Sequence, residues 1–471
     1  MTTDFRELVD LAAERLGGSV LYATDDFFAP KENLLKAEKP VWKEHDYTER
    51  GKWMDGWESR RKRVAGHDFA IICLGLPGVV RGVIVDTSYF RGNFPSHCSI
   101  EACFAAPESS HDSLSDWIEI LPKSELKGDF ENSFAIDNPY AFTHVKFHIY
   151  PDGGVARLRV HGEVVPEWHR EGGLQNEIDL AAVEHGAQIL ACSDMFFGPK
   201  HNLIMPGPSR GMSDGWETRR RRGPGHDWVD VRLGVEGIVR RVEIDTSFFK
   251  GNYPDTCSIE SGEKEILPRT KLLPDTRHIF VDELQAAGPV RELRLNVFPD
   301  GGVARLRVYG TATETSRWDA VARRIDTRIR PEVELRNCCG SSEWVRQMMA
   351  SRPFAGGSEV LAAAESIWWE LDPPDWQEAF KSHPRVGEKA TSAWSRQEQS
   401  SVISSTALAD INNDYENKFG YIFIICATGK GADEILSIAQ RRLQNGPDDE
   451  LRVAAEEQLK ITKLRLMKLV A

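Results

Sequence analysis

MDGWESRRKRVAGHD, Met54 to Asp68, returns as SDGWETRRRRGPGHD, Ser213 to Asp227. In both, Asp-Gly-Trp-Glu leads into a hydroxyl residue, a basic run and Gly-His-Asp. Matched residues lie 159 positions apart, as His67 and His226 do. The register persists downstream, where Val85-Asp86-Thr87-Ser88 returns as Ile244-Asp245-Thr246-Ser247 and Arg91-Gly92-Asn93 as Lys250-Gly251-Asn252. Self-similarity at one fixed offset means two copies of a structural unit, and this period is far too long for a solenoid. Upstream, Asp25-Asp26-Phe27-Phe28 matches Asp194-Met195-Phe196-Phe197 at an offset of 169, so the first copy carries ten extra residues between Asn33 and Asp55. That insertion, rich in Lys, Glu and His, is expected to be a surface loop.

At 471 residues the chain is too long for one core. Its 41% hydrophobic and 28% charged residues are ordinary for a folded soluble protein. A net charge of −13 argues against a nucleic-acid partner, since both would be negative. The short runs Arg60-Arg61-Lys62-Arg63 and Arg219 to Arg222 read as anion-binding or ion-paired stretches. The opening MTTDFRELVD lacks the basic and apolar regions expected of a signal peptide. The longest apolar run, Tyr421 to Ala427, is too short to span a bilayer, so no membrane partner is expected. The eight cysteines have no framework spacing. They read as reduced, small buried apolar residues of a cytoplasmic chain.

Residues 1–20 and 174–187 show near-helical apolar spacing that stops at Gly17-Gly18 and Gly186. After Asp68 the pattern is of short β-type runs, Phe69 to Leu74, Gly82 to Val85, Trp117 to Ile120, His144 to Tyr150 and Val155 to Val160. Trp228 to Leu233, Val239 to Ile244, Leu293 to Phe298 and Val303 to Val308 match them. Tyr150-Pro151-Asp152-Gly153-Gly154 and Phe298-Pro299-Asp300-Gly301-Gly302 are turns suited to positive φ. In the following Arg-Leu-Arg-Val the two Arg share one face of a strand. Two β-sandwiches are therefore expected, over 1–170 and 171–312. Residues 313–332 read as a linker, although Asp319 to Ile329 is charged and helical in character. Beyond it, Ser342–Ala350, Ser358–Glu370, Pro374–Phe380, Arg396–Phe419, Ala432–Gln444 and Asp449–Leu469 read as helices, which makes 333–471 an all-α domain.

Each copy gathers carboxylates, a histidine and several arginines within fifteen residues. Such a set can bind an anion through Arg and move protons with His and Asp. His and carboxylates can also hold zinc or manganese. The plainer alternative makes Asp and Gly turn formers, Trp a core residue, and Arg and Glu ion pairs. The near-verbatim return of the set favours function, and one copy alone can be catalytic.

Asp-Asp-Phe-Phe-Ala-Pro-Lys, Gly-Lys-Trp-Met-Asp-Gly-Trp-Glu-Ser-Arg-Arg, Gly-His-Asp and Val-Asp-Thr-Ser-Tyr-Phe resemble allantoicase over roughly residues 15–312. The resemblance implies two galactose-binding-like jelly rolls that hydrolyse allantoate to ureidoglycolate and urea. On this view Arg60, Arg61, Arg219 and Arg220 are candidates for the substrate carboxylate. His67, His226, Asp55, Asp214, Asp86 and Asp245 are candidates for proton transfer, and a divalent metal is possible but unassigned.

In the tail, His383 precedes Pro384, where a helix must end, so its ring can point into a pocket. Glu398 opens the next helix and Arg465 lies on the last. Arg as carboxylate anchor and His as proton carrier suit a decarboxylation; the plainer reading makes His-Pro a capping or turn element. Ser382-His383-Pro384-Arg385-Val386-Gly387-Glu388, Asn337-Cys338-Cys339-Gly340-Ser341 and Arg352-Pro353-Phe354 resemble the 2-oxo-4-hydroxy-4-carboxy-5-ureidoimidazoline (OHCU) decarboxylases of urate breakdown, from about residue 333 onward. That resemblance implies cofactor-free catalysis by His383, Glu398 and Arg465, giving (S)-allantoin. Ser400-Ser401-Val402 departs from the family's wording beside Glu398. The partners expected are therefore small molecules, allantoate and OHCU, with a homo-oligomeric chain. The alternatives are an allantoicase with a non-catalytic tail and a jelly-roll binding protein without turnover; urea release from allantoate distinguishes the last of these.

Overall fold

The computed structural model describes residues 4–170, 172–385 and 406–471. The chain forms two compact units, one of residues 1–167 and 174–313, the other of 168–173 and 314–471.

The first unit holds two β-sandwiches with the same strand plan. Each is built on one 19-residue strand, Asp68–Asp86 in the first copy and Asp227–Asp245 in the second. The front half of Asp68–Asp86 pairs with Ser19–Ala23 and with Ala141–Tyr150. Its back half pairs with Arg157–Val164 and with Glu131–Ala135. One strand thus serves both layers. Inward residues of each half meet between the layers, with Val83, Val85, Phe147, Ile149, Leu158 and Val160 fully buried. The Trp of each repeated motif, Trp57 and Trp216, is also core.

The Arg-Leu-Arg-Val alternation holds, but the Arg face is not open to water. Arg157 Nε donates to Glu38 O at 3.0 Å and Arg159 Nη1 to Leu35 O at 3.4 Å. In the second copy Arg305 Nε donates to Gly207 O at 3.1 Å and Arg307 Nη2 to Met205 O at 2.6 Å. In the first copy these arginines fasten the loop that carries the ten-residue insertion, and in the second they fasten its shorter counterpart. The insertion itself is exposed, with a small hairpin of Tyr47–Thr48 and Gly51–Lys52. The Pro-Asp-Gly-Gly turns place Gly153 at φ 134° and Gly301 at φ 138°, as expected.

Residues 4–20 and 174–187 form no α-helix, only three-residue 3-10 turns at Phe5–Glu7, Glu14–Leu16 and Val183–His185. Val9–Asp10 and Glu177–Asp179 are strands that pair with Arg157–Val164 and Arg305–Ala312. The reason is local. Asp10 Oδ1 accepts Ala12 N at 3.2 Å and Val160 N at 2.9 Å, and Asp179 Oδ1 accepts Ala181 N and Val308 N. An Asp that bonds backbone this way competes with a helix. Leu11, Leu16, Leu180 and Val183 are buried on these short turns instead. Arg15 joins the sandwiches by donating to Asp214 Oδ1 and to Asn202 Oδ1, each at 2.8 Å, and Lys200 Nζ does so by donating to Glu7 Oε2 at 2.9 Å.

The second unit holds eight helices among the described residues. They are α1 Glu314–Thr327, α2 Glu332–Cys338, α3 Ser342–Ala350, α4 Gly357–Glu370, α5 Pro373–Lys381, α6 Thr406–Phe419, α7 Ala432–Arg442 and α8 Pro447–Lys468. The 313–332 stretch read as a linker therefore contains α1, which is bonded into this unit where Asp319 Oδ1 accepts Gly357 N at 2.8 Å. Helix α3 is capped by Ser341, whose side chain accepts Trp344 N. Helix α8 starts on Pro447 with Asp448, Asp449 and Glu450 in its first turn and ends with Arg465 and Lys468 in its last. No described helix is long and apolar enough to cross a membrane. All eight cysteines are free and seven are buried.

Candidate active sites

At the repeated motif, Asp25 accepts three bonds: from Phe27 N, from Arg60 N at 2.8 Å and from Arg60 Nε at 2.7 Å. Burial pushes the Asp25 carboxyl up, but the Arg60 bonds outweigh it and hold it below the ordinary carboxylate range. Trp57 Nε1 fixes this turn by donating to Asp25 O at 2.8 Å. Beside it, Glu58 Oε1 accepts Asn93 Nδ2 at 2.7 Å, and burial pushes the Glu58 carboxyl up. Arg60 also lies 5.1 Å from the Phe27 ring centre. The second copy repeats each element: Asp194 with Arg219, Trp216 on Asp194 O, Asn252 on Glu217, and Arg219 4.9 Å from Phe196. Arg61 and Arg220 are exposed and make no ion pair among the described residues. The basic runs are thus partly ion-paired, with Lys62 on Asp68 and Arg221 on Asp227 as further pairs.

The candidate aspartates stand elsewhere. Arg157 Nη2 donates to Asp55 Oδ2 at 2.8 Å, with both side chains nearly excluded from water. Burial pushes Asp55 up; Arg157, Val41 N and Lys36 together hold it below the usual range. Asp214 is held likewise by Arg305 at 2.8 Å and by Arg15. Asp86 and Asp245 are buried turn formers, accepting Ser88 N and Ser247 N at 2.8 Å. None of these four bonds to His67 or His226 among the described residues. They hold the scaffold, and the cluster legible as one motif is divided among separate places.

His67 Nε2 lies 2.9 Å from His148 Nδ1, and His148 Nε2 lies 2.9 Å from Glu101 Oε2. His226 Nε2 instead meets Asn296 Oδ1 at 3.1 Å, and Asn296 Nδ2 donates to Ser258 Oγ at 3.3 Å. Sequence reasoning did not assign Asp25, Asp194, Glu58, Glu217, Asn93, Asn252, His148 or Glu101. For the first six the signal was their return at the fixed offsets. For His148 there was only the different residue, Asn296, at the matched position of the second copy. Among the described residues no three His, Cys, Asp or Glu converge as a metal site.

In the helical unit, α5 ends as the His-Pro sequence requires, with Ser382 and His383 donating backbone N–H to Ala379 O and Phe380 O. Gly340, after α2, lets this end approach: a Cβ there would lie 2.5 Å from Ser382 Cβ. Arg465 of α8 is 5% exposed, and its Nη2 lies 3.4 Å from His383 Nδ1. Its Nη1 donates to Asn337 O at 3.4 Å. The structure thus brings together two of the three expected groups. Glu398 lies outside the described residues.

The allantoicase repeat model matches residues 9–165 and 178–313. The chain belongs to the allantoicase family. The OHCU decarboxylase model matches residues 330–467, so a decarboxylase domain follows the allantoicase repeats. A protein of Photobacterium profundum named probable allantoicase is 46% identical over 327 residues, 66% of this chain and 98% of that protein. A probable allantoicase of Pseudomonas fluorescens strain Pf0-1 is 48% identical over 65% of this chain and 97% of that protein. The crystal structure of allantoicase from Saccharomyces cerevisiae matches with a TM-score of 0.56 at 36% identity, covering 64% of this chain and 92% of that one. The two sandwiches are accordingly the jelly rolls that the allantoicase resemblance implied.

Proposed function

We propose that the chain is a bifunctional enzyme of urate breakdown. Its paired sandwiches hydrolyse allantoate to ureidoglycolate and urea, and its helical domain decarboxylates OHCU to (S)-allantoin. The observation that carries this reading is that one chain holds a full pair of allantoicase repeats followed by a decarboxylase domain in which His383 and Arg465 meet.

In the hydrolysis a water oxygen bonds to the central carbon of allantoate, one C–N bond breaks, and urea leaves on a protonated nitrogen. The exposed arginines Arg60, Arg61, Arg219 and Arg220 can engage the carboxylate. Glu58 and one or both of the repeat histidines can move protons. In the decarboxylation the C–C electron pair stays on the ring carbon as CO2 departs. Arg465 anchors the anion, His383 governs protonation of that carbon, and Glu398 completes the set without a cofactor.

The test is urea release from allantoate by the purified chain, and (S)-allantoin formation from fresh OHCU followed by circular dichroism. Both reactions are expected. Allantoate left intact under every metal condition would overturn the first half, and OHCU decaying only at its spontaneous rate would overturn the second. Dialysis against a chelator before the urea assay decides whether a divalent metal takes part.

A further inference from the structure

We propose that the two repeats have divided the chemistry: in the first, Glu101 and His148 position His67 as the base that takes a proton from the attacking water, while His226 of the second only binds. This rests on the allantoate-hydrolysing reading.

A carboxylate can only accept, so Glu101 fixes the proton of His148 on Nε2. His148 Nδ1 is then bare and must accept from His67 Nε2. That leaves His67 Nδ1 as a lone pair. It makes no hydrogen bond among the described residues, and its ring is half-exposed. When His67 takes a proton on Nδ1, the charge is shared down the chain towards Glu101, as a carboxylate behind a catalytic imidazole does. The water O–H bond breaks, its oxygen bonds to the substrate carbon, the C–N electron pair leaves with urea nitrogen, and His67 returns the proton to that nitrogen.

The surroundings suit a base. Lys62, Lys123, Lys146 and Asp68 are the charged neighbours of His67, and Tyr150 packs 4.5 Å from its ring. Burial first, then Lys146 and Lys62, hold His67 below the ordinary histidine range. Burial also lowers His148, against the opposing pull of Glu101; Lys146 lies 3.8 Å from Glu101. Both rings are therefore neutral near pH 7.

The second repeat lacks this device. His148 stands opposite Phe69 and Ser99, and Asn296 stands opposite their counterparts Trp228 and Ser258. The Asn296 amide fixes the same histidine tautomer but neither titrates nor passes charge on.

The test uses the full chain. His148→Asn installs the residue that the second repeat carries at the matched position, so the fold accommodates it. Its kcat for urea release is expected to fall about a hundredfold or more, with KM and thermal midpoint unchanged. In Glu101→Gln kcat falls too, and the acid limb of the kcat profile moves to lower pH, because without the anion the imidazole pair is harder to protonate. In His226→Gln the effect falls on KM. Wild-type kcat and pH profile in both first-repeat variants overturns the proposal, as does a kcat loss in His226→Gln equal to that in His148→Asn. A wild-type chain that releases no urea rejects the underlying reading instead, and this one with it.

Discussion

Asp55 and Arg157 show what a buried ion pair does in this fold. Their side chains are 7% and 2% exposed, so removing one charge strands the other away from water. Asp55→Asn is expected to lower unfolding free energy by about 3–5 kcal/mol in a urea titration. Asp214→Asn should cost less, because its side chain is 19% exposed. The partners lie 102 positions apart, so the motif displayed the acid without revealing its base. His144 gives a pH-dependent case. It is fully buried, and burial holds its ring below the ordinary histidine range. Its folded pKa is the depressed one, so its contribution is complete above the unfolded value of about 6.5 and is lost as pH falls through the folded value. The thermal midpoint should drop on acidification, and His144→Phe should flatten that drop. In the helical unit, Arg465→Gln should reduce OHCU decarboxylation by about a hundredfold or more while urea release stays at the wild-type rate.

Among the elements, strands and most helices were legible because apolar and polar residues recur with each element's own period, as in Leu158 and Val160 against Arg157 and Arg159. What misled was the start of each repeat. Leu11 and Leu16, Leu180 and Val183 are core residues at helix-like spacing, but Asp10 and Asp179 divert the backbone into short strands. Helix α2 was missed because only seven residues between Pro331 and Cys339 form it. Close approach of elements leaves no mark in periodicity either. Gly340→Val should reduce decarboxylation, since its side chain would drive against Ser382 and displace the end of α5 that carries His383. Wild-type turnover in that variant would show that the contact does not position the histidine.

For the whole molecule, the duplication and the change to helices could be read directly, and both families were recognisable from wording alone. The division of the motif's charged residues could not, because it depends on which distant strand each side chain meets. Relatives covered over 97–98% of their length match only about two thirds of this chain. A truncated chain of residues 1–313 should therefore fold and release urea at the full-length rate, with OHCU decarboxylation absent. The 19-residue strand at the centre of each sandwich has a thermodynamic corollary. A polypeptide segment stitched into both layers denies either layer an independent melting event. Amide protons at Ile71 and at Val83, on opposite halves of that strand, should exchange with deuterium at the same opening free energy, as members of a single cooperative foldon.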